Sequence, residues 1–308
     1  MINRTLIRLK IVQILYAYFI RQNNNVDAAE KELLFSLSKA YDLYNNLLLL
    51  MVEITNYAES RIEMRRCRLQ PTEEDLHPNM RFVENAFIRQ LAGNTQLKEY
   101  SKNAKFSWKD NEGLVRSLFE TVEQSDIYKE YMEMPSTTYD EDRELWRKLY
   151  KFVICTYEEL DSVLEGISLY WNDDRAVVDT FVLKTIKRFD ESKGSEQELL
   201  PEFRNEEDRD FALKLLRKTI ANVDEYQKLI DEHCLNWDKE RIAFMDRVIM
   251  TVALTEIVTF PNIPLSVSFD EYVEIAKIYS TPKSASFVNG VLDAVVKELK
   301  KENKLVKD

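Results

Sequence analysis

Between Ile242 and Ile257 the chain reads Ile-Ala-Phe-Met-Asp-Arg-Val-Ile-Met-Thr-Val-Ala-Leu-Thr-Glu-Ile. Wound as an α-helix, Phe244, Met245, Val248, Ile249, Val252, Leu254 and Ile257 cover nearly every face of it. A helix that is apolar all round has to be surrounded by other elements, so this stretch is central to a helical domain. Asp246 and Glu256 interrupt the run. Each must sit at an exposed edge or be paired, because a lone buried carboxylate is costly. Asp246 with Arg247 reads as a surface pair, and Asp238 as the N-cap. Composition points the same way: 5 Gly and 7 Pro in 308 residues are too few for the turns of a β-sandwich or an α/β fold. The expected fold class is all-α.

The preceding chain gives further helices. Residues 3–22 carry apolar positions at three- and four-residue spacing, with Gln13 and Tyr16 among them. Arg4 and Arg8 lie one turn apart and share a face. Such a basic face is either merely solvated or a contact for an anion, and the residues alone leave both open. Asn23-Asn-Asn25 is a turn. Residues 26–66 form one long helix, whose terminal Arg61, Arg65 and Arg66 suit a helix C-terminus more simply than an RNA patch. Residues 67–141 are broken by Pro71, Pro78, Gly93, Gly113 and Pro135 into short helices near 80–92 and 110–124. Residues 142–170 read as one long helix with Leu145, Leu149, Phe152, Leu160 and Leu164 inward. A helix over 174–189, a polar loop over 190–201 and a helix over 206–235 follow. Glu158-Glu-Leu…Trp171 and Asp224-Glu-Tyr…Trp237 are similar at a distance of 66 residues, either as a partial duplication or as two corners with similar demands.

At the end of the chain, Ser268 and Glu271 suggest a capping box. Thr281-Pro282 suggests the start of the last helix. Asn289-Gly290 inside the apolar stripe Phe287–Leu299 suggests a helical glycine that admits another backbone. Lys297–Lys307 reads as a solvated basic tail. The domains expected are 1–66, an acidic helical insertion over 67–205, a helical bundle over 206–300 and a basic tail over 301–308.

Charge and motifs narrow the function classes. The net charge of −11 is concentrated in the middle: residues 1–66 carry a net +2 and residues 237–308 a net −1. RNA binding by such a chain would need a local basic edge and gain from a basic partner. Three cysteines without CxxC spacing fit a reducing cytosol and no zinc site. No run is long enough to span a membrane, and the N-terminus lacks the pattern of a secretory signal. Asp173-Asp174 does not make a DDxxD magnesium motif. His77 and His233 have neither a ligand set nor a nucleophile beside them. Neither a catalytic residue, a metal nor a cofactor is expected.

Arg241-Ile-Ala-Phe-Met-Asp-Arg247, Ala253-Leu-Thr-Glu256, Ile263-Pro264, Glu274-Ile-Ala-Lys277 and Phe287-Val-Asn-Gly-Val-Leu-Asp293 resemble, in order and spacing, the C-terminal half of the NusB family of transcription antitermination factors. Arg4…Arg8…Gln13…Leu15-Tyr16 resembles its first helix. The resemblance covers about residues 1–40 and 206–300. It implies two small perpendicular helical bundles, here with an extra helical insertion, and no catalytic activity. It also implies boxA RNA of ribosomal RNA leader transcripts and the ribosomal protein NusE as joint partners, acting on the RNA polymerase elongation complex in the cytoplasm. By position, Arg4, Arg8, Lys283 and Phe287 match the RNA side, and Tyr16, Asp246 and Glu256 the side facing the ribosomal protein. Thr5 and Leu6 stand where compact members often have arginine, so the basic edge is depleted. A protein-only adaptor, docking through the acidic insertion, is the alternative. On the RNA reading, Arg4→Glu with Arg8→Glu should weaken the ternary complex and leave thermal stability little changed.

Overall fold

The computed structural model describes residues 1–21, 25–171, 173–234, 242–305 and 307. The helices in chain order are α1 (Arg4–Ile20), α2 (Val26–Arg66), α3 (Glu73–Leu76), α4 (Ala86–Gly93), α5 (Thr95–Asn103), α6 (Glu112–Gln124), α7 (Asp126–Glu133), α8 (Tyr139–Leu149), α9 (Glu158–Ile167), α10 (Arg175–Arg188), α11 (Glu206–Ala221), α12 (Val223–His233), α13 (Phe244–Thr259), α14 (Leu265–Tyr279) and α15 (Ser284–Lys301). Among the described residues there is no strand, only an isolated bridge between Ile2 and Phe203, and no helix long and apolar enough to cross a membrane. The expected turn at Asn23-Asn24, the end of a helix at Leu235, the cap at Asp238, Arg241 and the Trp237 half of the internal similarity lie outside the described residues.

The chain forms two compact units, one of Met1 with residues 39–202 and one of residues 2–38 with 203–308. The division falls inside α2, between Ser38 and Lys39. Nothing in the 41 residues of α2 breaks a helix, and a helix of that length outruns one small domain. The chain boundary at 66/67 follows the end of that helix, whereas the packing boundary follows its neighbours.

In the unit of residues 39–202, short helices are chained by polar caps. Asn85, Asn94, Ser125 and Thr138 each accept a backbone N–H at a helix start, as small polar residues do. Their apolar faces enclose a core that includes Leu47, Met51, Phe82, Phe87, Leu118 and Trp146. The single helix expected over 142–170 is interrupted. A π-helical turn at Tyr150–Ile154 follows α8, marked by Cys155 N–H donating to Tyr150 O at 2.8 Å. The extra residue rotates the register, so Phe152, expected inside, is 55% exposed. Buried Arg175 donates to the carbonyl of Ile154 at 2.6 Å and faces Asp179 at 3.6 Å. The Tyr150 hydroxyl donates to Asp179 at 2.6 Å. Burial, and then the Asp179 charge, pushes the Cys155 thiol up to about 12, which leaves it inert as a nucleophile. The loop at 190–201 is organised too: Gln90 donates to the carbonyls of Asp190 and Gly194, and Gly194 takes φ +51°, which glycine tolerates.

In the second unit α13 is the hub. Every residue from Val248 to Ile257 is buried, and α13 touches α1, α11, α12, α14 and α15. The helix expected over 206–235 is divided at Asn222, which leaves helical geometry while its carboxamide donates to Lys218 O. Ser268 and Glu271 form no capping box, because α14 begins earlier, at Leu265 after Pro264. α15 begins at Ser284, whose hydroxyl accepts the Thr281 backbone N–H at 3.1 Å, rather than at Pro282. In the tail Lys297, Lys300, Lys301 and Lys304 are exposed, as expected, but its end turns back: Asn303 at φ +57° lets Lys304 and Leu305 N–H groups return to Leu299 O. Lys307 is buried and donates to Phe260 O at 2.9 Å. Gly290 is exposed, and a Cβ there would meet nothing within 4 Å. It admits no neighbouring backbone.

Two predictions follow from this packing. Gly290→Ala should stabilise the protein by about 0.5–1 kcal/mol, read from denaturant unfolding, because alanine restricts the unfolded chain and meets no obstacle. An alkaline transition is also expected. Burial pushes the Tyr44 and Tyr128 hydroxyls up to about 12, and burial followed by the Glu256 charge holds Tyr272 well above its ordinary value. In the unfolded chain they ionise near pH 10. Their stabilisation is therefore complete below about pH 10 and is lost as pH rises through the folded values. Tm should hold steady to that point and then fall; a flat profile would contradict the packing.

Candidate nucleic-acid interface

α1 starts at Asn3, whose side chain caps the helix by accepting from Leu6 N–H at 2.9 Å. Its first two turns present Arg4 and Arg8. Their fates differ because of what lies across from each.

Arg8 is 2% exposed and Glu256 of α13 is 0% exposed. They meet in a two-pronged pair, with Arg8 Nε donating to Glu256 Oε2 at 2.7 Å and Nη2 to Oε1 at 2.9 Å. Two residues of α14 complete the shell: Ser268 Oγ donates to Glu256 Oε1 at 2.7 Å and Tyr272 OH to Oε2 at 3.0 Å. Glu271 stands 3.5 Å from Arg8. Burial disfavours the charged guanidinium. The hydrogen bond and charge of Glu256, with Tyr272 and Glu271 behind them, outweigh that and hold Arg8 above its ordinary value. The residues expected on the RNA side (Arg8) and on the protein-partner side (Glu256) thus bind each other, and neither guanidinium nor carboxylate is at the surface.

Further contacts fix how α1 lies. Thr5 Oγ1 donates to Glu271 at 2.9 Å and Gln13 Nε2 to Tyr279 OH at 3.1 Å. Both pairs have the same sequence offset, so α1 runs parallel to α14. The Tyr16 and Phe244 rings lie 5.4 Å apart, so α1 runs antiparallel to α13.

This register sorts the other residues into two ends. At the C-terminal end of α13, Arg4 keeps its side chain 40% exposed while Nε lies 3.2 Å from Asp208. Its guanidinium stacks 5.0 Å above the buried Phe211 ring. Phe211 lies 4.8 Å from Phe260, and exposed Lys214 stands 5.2 Å over Phe260. Lys214, Phe211 and Phe260 were not singled out from the sequence. Only the three-residue spacing of Phe211 and Lys214 hints at them, and Phe260 reads as part of a Pro-rich turn. At the N-terminal end, Asp246 is buried and accepts from Ser284 Oγ at 2.8 Å. It does not pair with Arg247, which donates to Asp231 at 2.7 Å. Tyr16 is half-buried, Lys283 is exposed, and Phe287 is buried in the apolar stripe of α15. Asp246 and Glu256 are ten residues apart on α13, about 15 Å along its axis. Arg4 and Lys283 therefore do not form one cluster. Among the described residues no group of His, Cys, Asp and Glu is arranged to hold a metal ion.

The family model described as the NusB family matches residues 178–297. A transcription antitermination protein NusB of Salinibacter ruber is 39% identical over 132 residues, covering 41% of this chain and 82% of that protein. One from Chloroherpeton thalassium is 39% identical over 99 residues, 32% of this chain and 47% of that protein. One from Koribacter versatilis is 42% identical over 99 residues, 32% and 68% of the two chains. A solved structure of T. maritima NusB matches 40% of this chain and 87% of that chain at 31% identity, with a TM-score of 0.31.

The burial of Arg8 reverses the expectation that replacing it would spare stability. Arg8→Ala and Glu256→Ala should each cost about 3–5 kcal/mol, because each strands a buried charge. Arg8→Met combined with Glu256→Leu should cost much less than the two single losses summed. Denaturant unfolding of the three variants gives the comparison, and additive losses would show that the two side chains do not act as a pair.

Proposed function

The chain belongs to the NusB family, and on that premise we propose that it acts in transcription antitermination, holding boxA RNA of ribosomal RNA leader transcripts jointly with the ribosomal protein NusE. The complex would then modify the elongating RNA polymerase in the cytoplasm. The action is binding, with no catalytic step, metal or cofactor.

The observation that carries the RNA part is Arg4. It is the arginine of the first helix that reaches solvent, and its guanidinium lies over the Phe211 ring, with Lys214 over Phe260 beside it. Cations seated on aromatic rings suit a phosphate backbone flanked by bases. Exposed Lys283, one turn before buried Phe287, is a second contact, at the other end of α13. Arg8 contributes indirectly, by fixing α1 so that Arg4 faces outward. Tyr16 packed on Phe244, with Asp246 nearby, is the proposed side for the ribosomal protein. Glu256, at the other end of α13, bears on that side only through the seating of α1 by its pair with Arg8. An acidic chain of net charge −11 gains both rate and specificity from a cationic partner.

The test is RNA binding by fluorescence anisotropy, with and without the ribosomal protein, at several salt concentrations. Arg4→Glu and Lys283→Glu should each weaken the joint complex and lower its salt slope by about 1 or more. Tyr16→Ala should weaken the protein partnership first. If the ribosomal protein binds equally well to all variants and no boxA RNA is retained by the pair, the protein-only adaptor takes the place of this reading.

A further inference from the structure

The unit of residues 39–202 contains a cavity of about 480 Å³, within the range of small-ligand sites. Its walls are aromatic: Tyr100, Phe106 and Trp171 line it. Trp171 is buried and donates Nε1–H to Lys39 O at 2.8 Å. Phe106 is half-exposed and lies 6.2 Å from Trp171 and 4.9 Å from Trp108. The floor is polar. Asn46 is 2% exposed, and its amide donates to Asp42 O at 2.8 Å and to Tyr100 OH at 3.0 Å. Those two contacts fix the orientation of the carboxamide, because a flip would set its oxygen against the Asp42 carbonyl. The Asn46 Oδ1 is left buried without a hydrogen-bond partner, so a ligand with an N–H donor fits better here than an apolar one.

The rim supplies the charge. α5 and the turn after it carry Lys98, Lys102, Lys105 and Lys109, interleaved with Tyr100, Phe106 and Trp108. All four lysines are exposed, and no ion pair involves them among the described residues. Lys105 lines the cavity itself. Three rings beside a carboxylate could also cage a cation. Here the carboxylate, Asp42, is already paired with Lys39 at 2.6 Å, and the rim lysines repel a cation. A flat ring joined to an anion satisfies the walls, the floor and the rim together.

We propose that this cavity is a second RNA-binding site, which seats one base of a single-stranded segment against Phe106 and Tyr100 while Lys102 and Lys105 hold the flanking phosphates. It is separate from the Arg4 edge and lies in a part of the chain outside the family match. Base–aromatic stacking with lysine contacts to the backbone is the usual chemistry of sequence-tolerant single-strand binding.

The experiment uses the full chain and a short fluorescein-labelled oligouridylate, without the ribosomal protein. Lys102→Glu with Lys105→Glu should weaken binding about tenfold and lower the salt slope by about 2. Phe106→Ala should weaken it about tenfold with little change in slope. Photo-cross-linking of 4-thiouridine RNA to the unaltered chain, mapped by mass spectrometry, should label peptide 98–109. The label should persist in Arg4→Glu, so that a failure of the first-helix edge and a failure of this site are told apart. Circular dichroism melts verify that each variant is folded. Unchanged affinity in the double lysine variant, cross-links confined to residues outside 39–202, or binding of uridine monophosphate without binding of the oligonucleotide would each overturn the proposal.

Discussion

The second unit depends on one buried ion pair. A guanidinium and a carboxylate enclosed together cost several kcal/mol each in lost hydration, and only good geometry with further hydrogen bonds offsets that. Arg8 and Glu256 meet the condition through two short parallel bonds, with Ser268 and Tyr272 saturating the carboxylate and Glu271 adding a second acidic neighbour. Such a pair is directional in a way that apolar packing is not. A slip of α1 by one residue would turn Arg8 away from Glu256 and strand both charges. The pair therefore sets the rotation of α1 as well as its attachment, and that rotation brings Arg4, one turn earlier, to the surface on Phe211.

The same economy of buried polar groups recurs along α13. Asp246 takes the hydroxyl of Ser284 and so joins the first turn of α13 to the first turn of α15. Lys307 joins the last turn of α13 to the end of the chain through Phe260 O. A hub helix that is buried on every side cannot present its carboxylates to water, so each is met by a donor from a neighbouring helix. In the unit of residues 39–202 the corresponding cluster is Arg175, Asp179 and Tyr150 around the π-helical turn.

Much of this was legible in the sequence. The all-round apolar character of residues 242–257 identified the hub, and uninterrupted periodicity gave α1 and α2 nearly to their ends. The motif from Phe287 to Asp293 and the run from Arg241 to Arg247 pointed to the family. The failures share a physical cause. Arg8 and Glu256 are 248 residues apart, and no local period reveals that two charges on different helices will close on each other. Ser268 and Glu271 have cap spacing, yet Pro264 starts the helix a turn earlier and leaves Ser268 free to serve Glu256. Phe152 has an inward position on a straight helix, and a one-residue bulge turned it outward. The aromatic cavity draws on α2, α5 and the turn at Trp171, and its parts have no pattern until the chain is folded.

The central claim is that the Arg8–Glu256 pair holds the first helix in place. Hydrogen–deuterium exchange of the unaltered chain and of Glu256→Gln tests it most directly, because glutamine keeps the shape of the side chain and removes its charge. The account predicts that amide protection in α1 falls roughly a hundredfold or more, in keeping with ~3–5 kcal/mol for breaking a buried pair, while residues 39–202 exchange as before. Equal protection of α1 in the two proteins would contradict it.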